Sequence, residues 1–249
     1  RCTPGRDPLN ELTVTALGSS AVATALGKPA VPAEGVVNAA SGKPALAPGA
    51  LASVFGANLA AGLRYASPYP WPRSVAGVEV RINGIAVPLL WLSDRQVNFL
   101  IPLEMPEGDA ELVVRTPLGV SDPVPIRLLP AAPGIFFDPV DQTAAVLIAG
   151  TASTTAQRPA EPGDYLEIYA TGLGAVESAG GALRWTRLKP RVFLAGRECT
   201  DINYHGLAPG YLGLYQINVK VPDGLPSGRQ PLRVEAGGAV SNEVLVVLR

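Results

Sequence analysis

The chain has 249 residues, a formal net charge of −1 and only 16% charged residues against 47% apolar ones. With Lys and Arg scattered rather than grouped, no basic patch exists to neutralise phosphates, so nucleic acid is excluded as a partner. No apolar run approaches the ~18 residues of a membrane-spanning helix, so no membrane span is expected.

Glycine and proline contribute 27 and 25 residues. They carry no collagen-like period and punctuate many short apolar runs. That pattern predicts an all-β fold of short strands and tight turns. The first residue is Arg1, which suits a processed chain whose signal peptide has gone. Low charge and repeated short strands agree with a secreted, extracellular or cell-surface protein.

Residues 1–34 read as an N-terminal arm and linker. Leu12, Val14 and Ala16 alternate with Thr13 and Thr15, the period of a strand. A turn at Gly18-Ser19-Ser20 leads to a second run, Ala21–Leu26. A lone hairpin is marginal in water, so this extended β arm must dock on its own body or on another copy. Docking by strand donation would make the protein a self-associating homo-oligomer or fibre.

The first body unit, residues 35–132, opens near Val36. Leu51–Phe55 is an apolar strand after an Ala-Pro-Gly turn. A loop rich in aromatics and prolines follows, with Tyr65, Tyr69 and Trp71 close together. Rigid exposed aromatics stack on sugar rings or anchor a partner, but Pro-stiffened rings also cap the ends of sandwiches. Val78, Val80 and Ile82 then alternate up to Asn83-Gly84, a strong hairpin signal. The stretch Arg95–Pro102, RQVNFLIP, comes next, followed by strands ending near Leu128.

The second unit, residues 133–249, repeats the first. Gln-Val-Asn at Gln96–Asn98 returns as Gln-Ile-Asn at Gln216–Asn218, an offset of 120. Pro106–Gly108 matches Pro226–Gly228, and Val120–Ile126 matches Val240–Val246, both at the same offset. An offset shared by three separate blocks indicates an internal duplication. Alternation places Val97, Phe99 and Ile101 on a core face, with Ile217, Val219 and Val221 as their counterparts. Gln96, Asn98 and Leu100 take the opposite face, where Leu100 calls for a cover from the arm or from the second unit. At Lys220 the second copy predicts a solvated face. The paired Gln and Asn read as structural, bonded to neighbouring loops.

The blocks GVVNAAS, LAPGALASVFGANLA, RPAEPGDYLEIYATGLGAV and GLAPGYLGLYQINVKVPDGLPSG resemble the uncharacterised C-terminal domain family of secreted acidobacterial proteins. The resemblance runs from Gly35 to Arg249 and implies an extracellular β-rich module. Each unit is also similar to immunoglobulin-like IPT/TIG sandwiches. The expected fold is therefore two tandem immunoglobulin-like β-sandwiches preceded by an extended arm. The family supplies no catalytic residues.

Catalysis finds little support. The single histidine, His205, falls in an expected turn, and no nucleophile-elbow motif occurs. Acidic residues that could act in pairs, Asp138 with Asp141 and Glu104 with Glu107 and Asp109, fall in turns that favour them for local hydrogen bonding. The Asp138–Thr143 stretch does not have EF-hand spacing for calcium. The glycine-rich pieces near Gly172 and Gly180 lack a P-loop lysine. With one His and no CxxC motif, no metal and no cofactor are expected. Two cysteines, Cys2 and Cys199, could form one bridge within or between chains. The sequence thus describes a non-enzymatic structural or assembly protein, with a carbohydrate- or surface-polymer-binding adhesion module as the alternative.

Overall fold

The computed structural model describes residues 27–60, 64–65 by their backbone, 69–178, 180 and 183–249. Leu12, Val14, Ala16 and Cys2 lie outside the described residues. What is described is all-β and forms two immunoglobulin-like sandwiches.

Sandwich one contains β1 (Val36–Asn38), β2 (Leu51–Phe55), β3 (Arg64–Tyr65), β4 (Glu79–Ile82), β5 (Ile85–Ala86), β6 (Leu89–Leu92), β7 (Gln96–Leu100), β8 (Gly108–Thr116), β9 (Gly119–Val120) and β10 (Val124–Leu128). One sheet has the order β1-β2-β7-β6-β3; the facing sheet has β10-β8-β4-β5, with β9 also on β8. Sandwich two contains β11 (Gly134–Ile135), β12 (Val146–Ile148), β13 (Tyr165–Thr171), β14 (Val176–Ser178), β15 (Arg184–Thr186), β16 (Arg191–Leu194), β17 (Arg197–Cys199), β18 (Ile202–Leu207), β19 (Tyr215–Lys220), β20 (Gly228–Ala236), β21 (Ala239–Val240) and β22 (Val244–Leu248). Its first sheet runs β11-β13-β19-β18-β15-β14, with β12 also on β13. Its second runs β17-β16-β20-β21, with β22 on the other side of β20.

Alternation makes each core. Ala52, Val54, Val97, Phe99 and Ile101 face Val80, Ile82, Leu112 and Val114 in sandwich one. Leu166, Ile168, Ile217, Val219 and Val221 face Val192, Leu194, Leu232 and Val234 in sandwich two. Each buried aliphatic side chain contributes on the order of 1.5–3 kcal/mol.

The duplication extends to individual polar contacts. The Ser121 hydroxyl accepts from Val114 N–H at 3.0 Å and donates to Asp122 C=O at 2.9 Å. Its counterpart Ser241 accepts from Val234 N–H at 2.9 Å and donates to Asn242 C=O at 2.6 Å. Leu46 bridges Leu128 in parallel, as Ala160 bridges Leu248.

The β4–β5 hairpin turns on Asn83 (φ 48) and Gly84 (φ 78), the expected Asn-Gly geometry. The corresponding β16–β17 turn has Ala195 (φ 51) before Gly196 (φ 78). Alanine in the left-handed region costs about 1 kcal/mol, whereas asparagine tolerates it. We therefore expect Ala195→Asn to stabilise the protein and Asn83→Ala to destabilise it, each by about 1 kcal/mol. Urea unfolding midpoints at unchanged m-value measure both; equal midpoints for all three proteins would contradict the turn assignment.

Candidate functional site at the sandwich junction

The outer face of the first sheet in sandwich one carries Leu51 opposite Leu100, Ser53 opposite Asn98, and Phe55 opposite Gln96. In each copy the glutamine amide donates to the asparagine two residues on. Gln96 Nε2 lies 2.8 Å from Asn98 Oδ1, and Gln216 Nε2 lies 2.8 Å from Asn218 Oδ1. Ser53 Oγ joins the first pair at 2.9 Å. The sequence-based expectation of bonds to neighbouring loops is thus corrected: the side chains satisfy each other across adjacent pleats of one face.

Leu100 is covered by sandwich two. The turn between β18 and β19, Ala208–Leu214, folds back on itself through Ala208 N–H to Leu214 C=O at 2.9 Å. Leu51, Leu100, Ala40 and Phe136 pack there with Ala208 and Leu214 as a third apolar cluster. Gly213 sits at φ 76, and a Cβ on it would lie 2.7 Å from methyl carbons of both Leu51 and Leu100. The turn can approach so closely only because that position has no side chain. Lys220, on the corresponding face of the second copy, remains exposed as expected.

Three polar contacts tie the junction. Thr171 Oγ1 accepts from Leu51 N–H at 2.8 Å and donates to Gly213 C=O at 2.6 Å, and all of these groups are buried. Asn38 Nδ2 donates to Ala132 C=O at 2.9 Å. Lys43 Nζ reaches Ser241 C=O at 3.1 Å.

Around this cluster stands a set of half-exposed aromatic rings. Trp71 packs against it from the proline-rich loop, and Tyr169 and Tyr211 from sandwich two. Tyr69 meets Trp71 edge-on, with ring centroids 6.3 Å apart, and is 67% exposed. The Tyr69–Pro70 peptide is cis. Tyr65 contributes its backbone to β3, paired with Trp91; its side chain lies outside the described residues. Of the three loop aromatics, Tyr69 and Trp71 are therefore brought together. Sequence reading missed Tyr169 as a surface ring beside them; only its alternation with Leu166, Ile168 and Ala170 marks it as outward-facing.

Tyr169 lies opposite Gln216, and Glu167 opposite Asn218. The Tyr169 hydroxyl donates to Glu167 Oε2 at 3.4 Å. Burial, followed by the nearby Glu167 carboxylate, pushes the Tyr169 hydroxyl up to about 12, so it stays a donor at neutral pH. The surface thus offers rings with flat apolar faces next to amide donors and acceptors and one carboxylate.

His205 is not in a turn. It lies on β18, 7% exposed, with Nδ1 2.8 Å from Thr186 Oγ1 and its ring 4.8 Å from Trp185. Burial first, then the charge of Lys189, lowers its proton affinity. The Thr186 hydroxyl also donates to Leu188 C=O at 2.8 Å, so its proton is committed to a carbonyl and the histidine is a packed, hydrogen-bonded ring of the strand. Asp138 and Asp141 cap their own loop, accepting from Val140 N–H and Thr143 N–H, each at 2.8 Å. Hydrogen bonds from Thr143 hold the Asp141 carboxyl below the usual carboxylate range. Among the described residues, no group of three His, Cys, Asp or Glu side chains is placed to hold a metal ion. Among the described residues Cys199 has no disulfide partner; it is 2% exposed, and burial raises its pKa. Among the described residues, no helix is long and apolar enough to cross a membrane.

No protein-family model matches the chain, and no curated protein matches it. Solved structures do. One is a Bacteroides ovatus mixed-linkage glucan utilization locus SGBP-B in complex with a mixed-linkage heptasaccharide, at 14% identity and TM-score 0.35, over 83% of this chain and 43% of that one. An SGBP-B from a complex xyloglucan utilization locus in Bacteroides uniformis is similar at 15% identity and TM-score 0.29, over 88% and 49%. The titin immunoglobulin tandem is similar at 10% identity and TM-score 0.23, over 82% and 89%. The chain spans less than half the length of the two SGBP-B structures.

Two outcomes follow. Thr171→Val keeps the shape but leaves the Leu51 N–H and Gly213 C=O unpaired, and should cost about 2 kcal/mol in urea unfolding, with Thr171→Ser close to native. Because the folded state disfavours protonated His205, the unfolded state takes up the proton first as pH falls below about 6.5. Stability should decline from there, and His205→Gln should remove that part of the slope. A slope that His205→Gln leaves unchanged would contradict the packed neutral imidazole.

Proposed function

We propose that the protein is a non-enzymatic, extracellular or cell-surface binding module whose ligand is a polysaccharide held at the sandwich junction. The observation that carries this reading is the convergence of Trp71, Tyr169 and Tyr211 on one apolar cluster, with Tyr69 beside Trp71. Sugar rings present apolar C–H faces that stack on aromatic rings, and hydroxyl rims that need both donors and acceptors. Gln216, Asn218 and Glu167 supply those polar groups on the same sheet face as Tyr169. A packed junction holds the rings in place before binding, so little ordering cost opposes the ligand.

Membership of the acidobacterial C-terminal domain family belongs to the same proposal, because that family's modules are carried outside the cell. Self-association into a fibre or surface layer by strand donation is a separate reading, and the fate of the arm decides it.

Affinity electrophoresis against a panel of soluble plant and bacterial glycans tests the proposal. Native protein should be retarded by at least one glycan. Trp71→Ala and Tyr211→Ala should each lose at least tenfold in affinity, about 1.4 kcal/mol, with the unfolding midpoint changed little. Retardation by none of the panel, or retardation of both variants equal to that of the native protein, would overturn it.

A further inference from the structure

The duplication sets the same polar pair on the outer sheet face of each sandwich, but gives it different neighbours. In sandwich one, Ser53 lies opposite Asn98 and Phe55 opposite Gln96. Glu167 and Tyr169 take those two places in sandwich two, opposite Asn218 and Gln216. Ser53 completes a closed network. Its hydroxyl and the Gln96 amide both donate to Asn98 Oδ1, at 2.9 and 2.8 Å, and Ser53 and Gln96 are each 3% exposed. In sandwich two, Glu167, Tyr169, Gln216 and Asn218 are all only half-buried.

Glu167 cannot do what Ser53 does, because a carboxylate has no proton to give to Asn218 Oδ1. It accepts instead from the Tyr169 hydroxyl, through Oε2 at 3.4 Å. Among the described residues no lysine or arginine pairs with it; Lys220 on the same face lies 4.0 Å from Asp201. The amide pair also keeps unused capacity. Gln216 Nε2 donates to Asn218 Oδ1 at 2.8 Å, so Gln216 Oε1 remains an acceptor and Asn218 Nδ2 a donor. Gly206, on the strand beyond Gln216, has no side chain to cover them. A partly desolvated carboxylate without a cation is costly to keep. The matching Ser53 shows that the sheet itself does not need one.

We infer, on the reading that the junction holds a glycan, that Glu167 makes the site selective for uncharged polysaccharides and turns away acidic ones. Adjacent hydroxyls of one sugar ring donate to the carboxylate, one to each oxygen, as charge-assisted hydrogen bonds. A further hydroxyl accepts from Asn218 Nδ2 or donates to Gln216 Oε1, while Tyr169 and Tyr211 carry the apolar face of the ring. A uronic acid or sulfate group in the same place sets its lone pairs against those of the carboxylate. It also brings a second negative charge close to the first, and no cation paired with Glu167 offsets the repulsion.

Isothermal titration calorimetry in physiological salt tests this. The probes are hydroxyethyl cellulose, galactomannan and glucomannan, each before and after oxidation of its primary hydroxyls to carboxylates. The native protein should bind at least one neutral polymer, and bind the oxidised form roughly tenfold more weakly or worse. Glu167→Gln keeps the shape and removes the charge. It should weaken binding of the neutral polymer about threefold and shrink the preference over the oxidised form to about threefold or less, with the unfolding midpoint little changed. Glu111→Gln removes the same charge from β8 of sandwich one and should keep the full preference. Native binding of an oxidised polymer as tightly as its parent would overturn the inference and leave the junction reading standing. So would a full preference retained by Glu167→Gln, or one lost equally in Glu111→Gln. So would glycol chitosan binding more tightly than every neutral polymer and losing that advantage in Glu167→Gln, since the carboxylate would then select a cation. Binding of none of the polymers would remove the junction reading and this inference with it.

Discussion

The absence of a side chain at Gly213 sets the distance between the two halves of the protein. Any Cβ there would press on Leu51 and Leu100 at 2.7 Å, and those leucines stand on adjacent strands that cannot yield separately. With glycine in place, the Ala208–Leu214 turn closes on the face, the Leu51 and Leu100 side chains leave water, and the Thr171 hydroxyl comes within reach of Leu51 N–H and Gly213 C=O. Gly49 repeats the device on a smaller scale: a Cβ there would lie 2.3 Å from the Tyr215 hydroxyl, which donates to Gly174 C=O at 2.7 Å. Two sandwiches that might have been strung like beads are instead welded across one sheet face.

That weld is what gives the surface aromatics their meaning. Trp71, Tyr169 and Tyr211 come from a loop of sandwich one, a strand of sandwich two and the connecting turn. None of them lies near another in the sequence, so only the packed junction assembles them. The polar groups beside them are equally fixed, because Gln216 and Asn218 hold one another and Glu167 takes the Tyr169 hydroxyl. Rigidity of this kind suits recognition of an extended ligand and makes no demand for a nucleophile or an acid–base pair.

Much of the fold was legible in the sequence because the duplication repeats chemistry as well as pattern. Gln96-Val97-Asn98 and Gln216-Ile217-Asn218 announced two equivalent strands, and Asn83-Gly84 marked its hairpin. The Ala195-Gly196 hairpin was harder to see, since alanine carries no turn signal and the backbone is forced there by the strands on either side. His205 read as a turn residue because Gly206 and Pro209 follow it. It is on a strand because Thr186 and Trp185 on the neighbouring strand provide a hydrogen bond and a ring to pack against. The cover over Leu100 was demanded by the sequence, which left the arm and the second unit as alternatives; the structure supplies it from the second unit. Close approach between a glycine turn and two leucines has no local signature.

The central claim is that the junction makes the two sandwiches one rigid body. Residual dipolar couplings of backbone amides in a weakly aligned sample test it most directly. Couplings from residues 35–130 and from residues 133–249 should fit a single alignment tensor in the relative orientation described. Two tensors differing in magnitude or direction would show the sandwiches moving independently and would contradict the account.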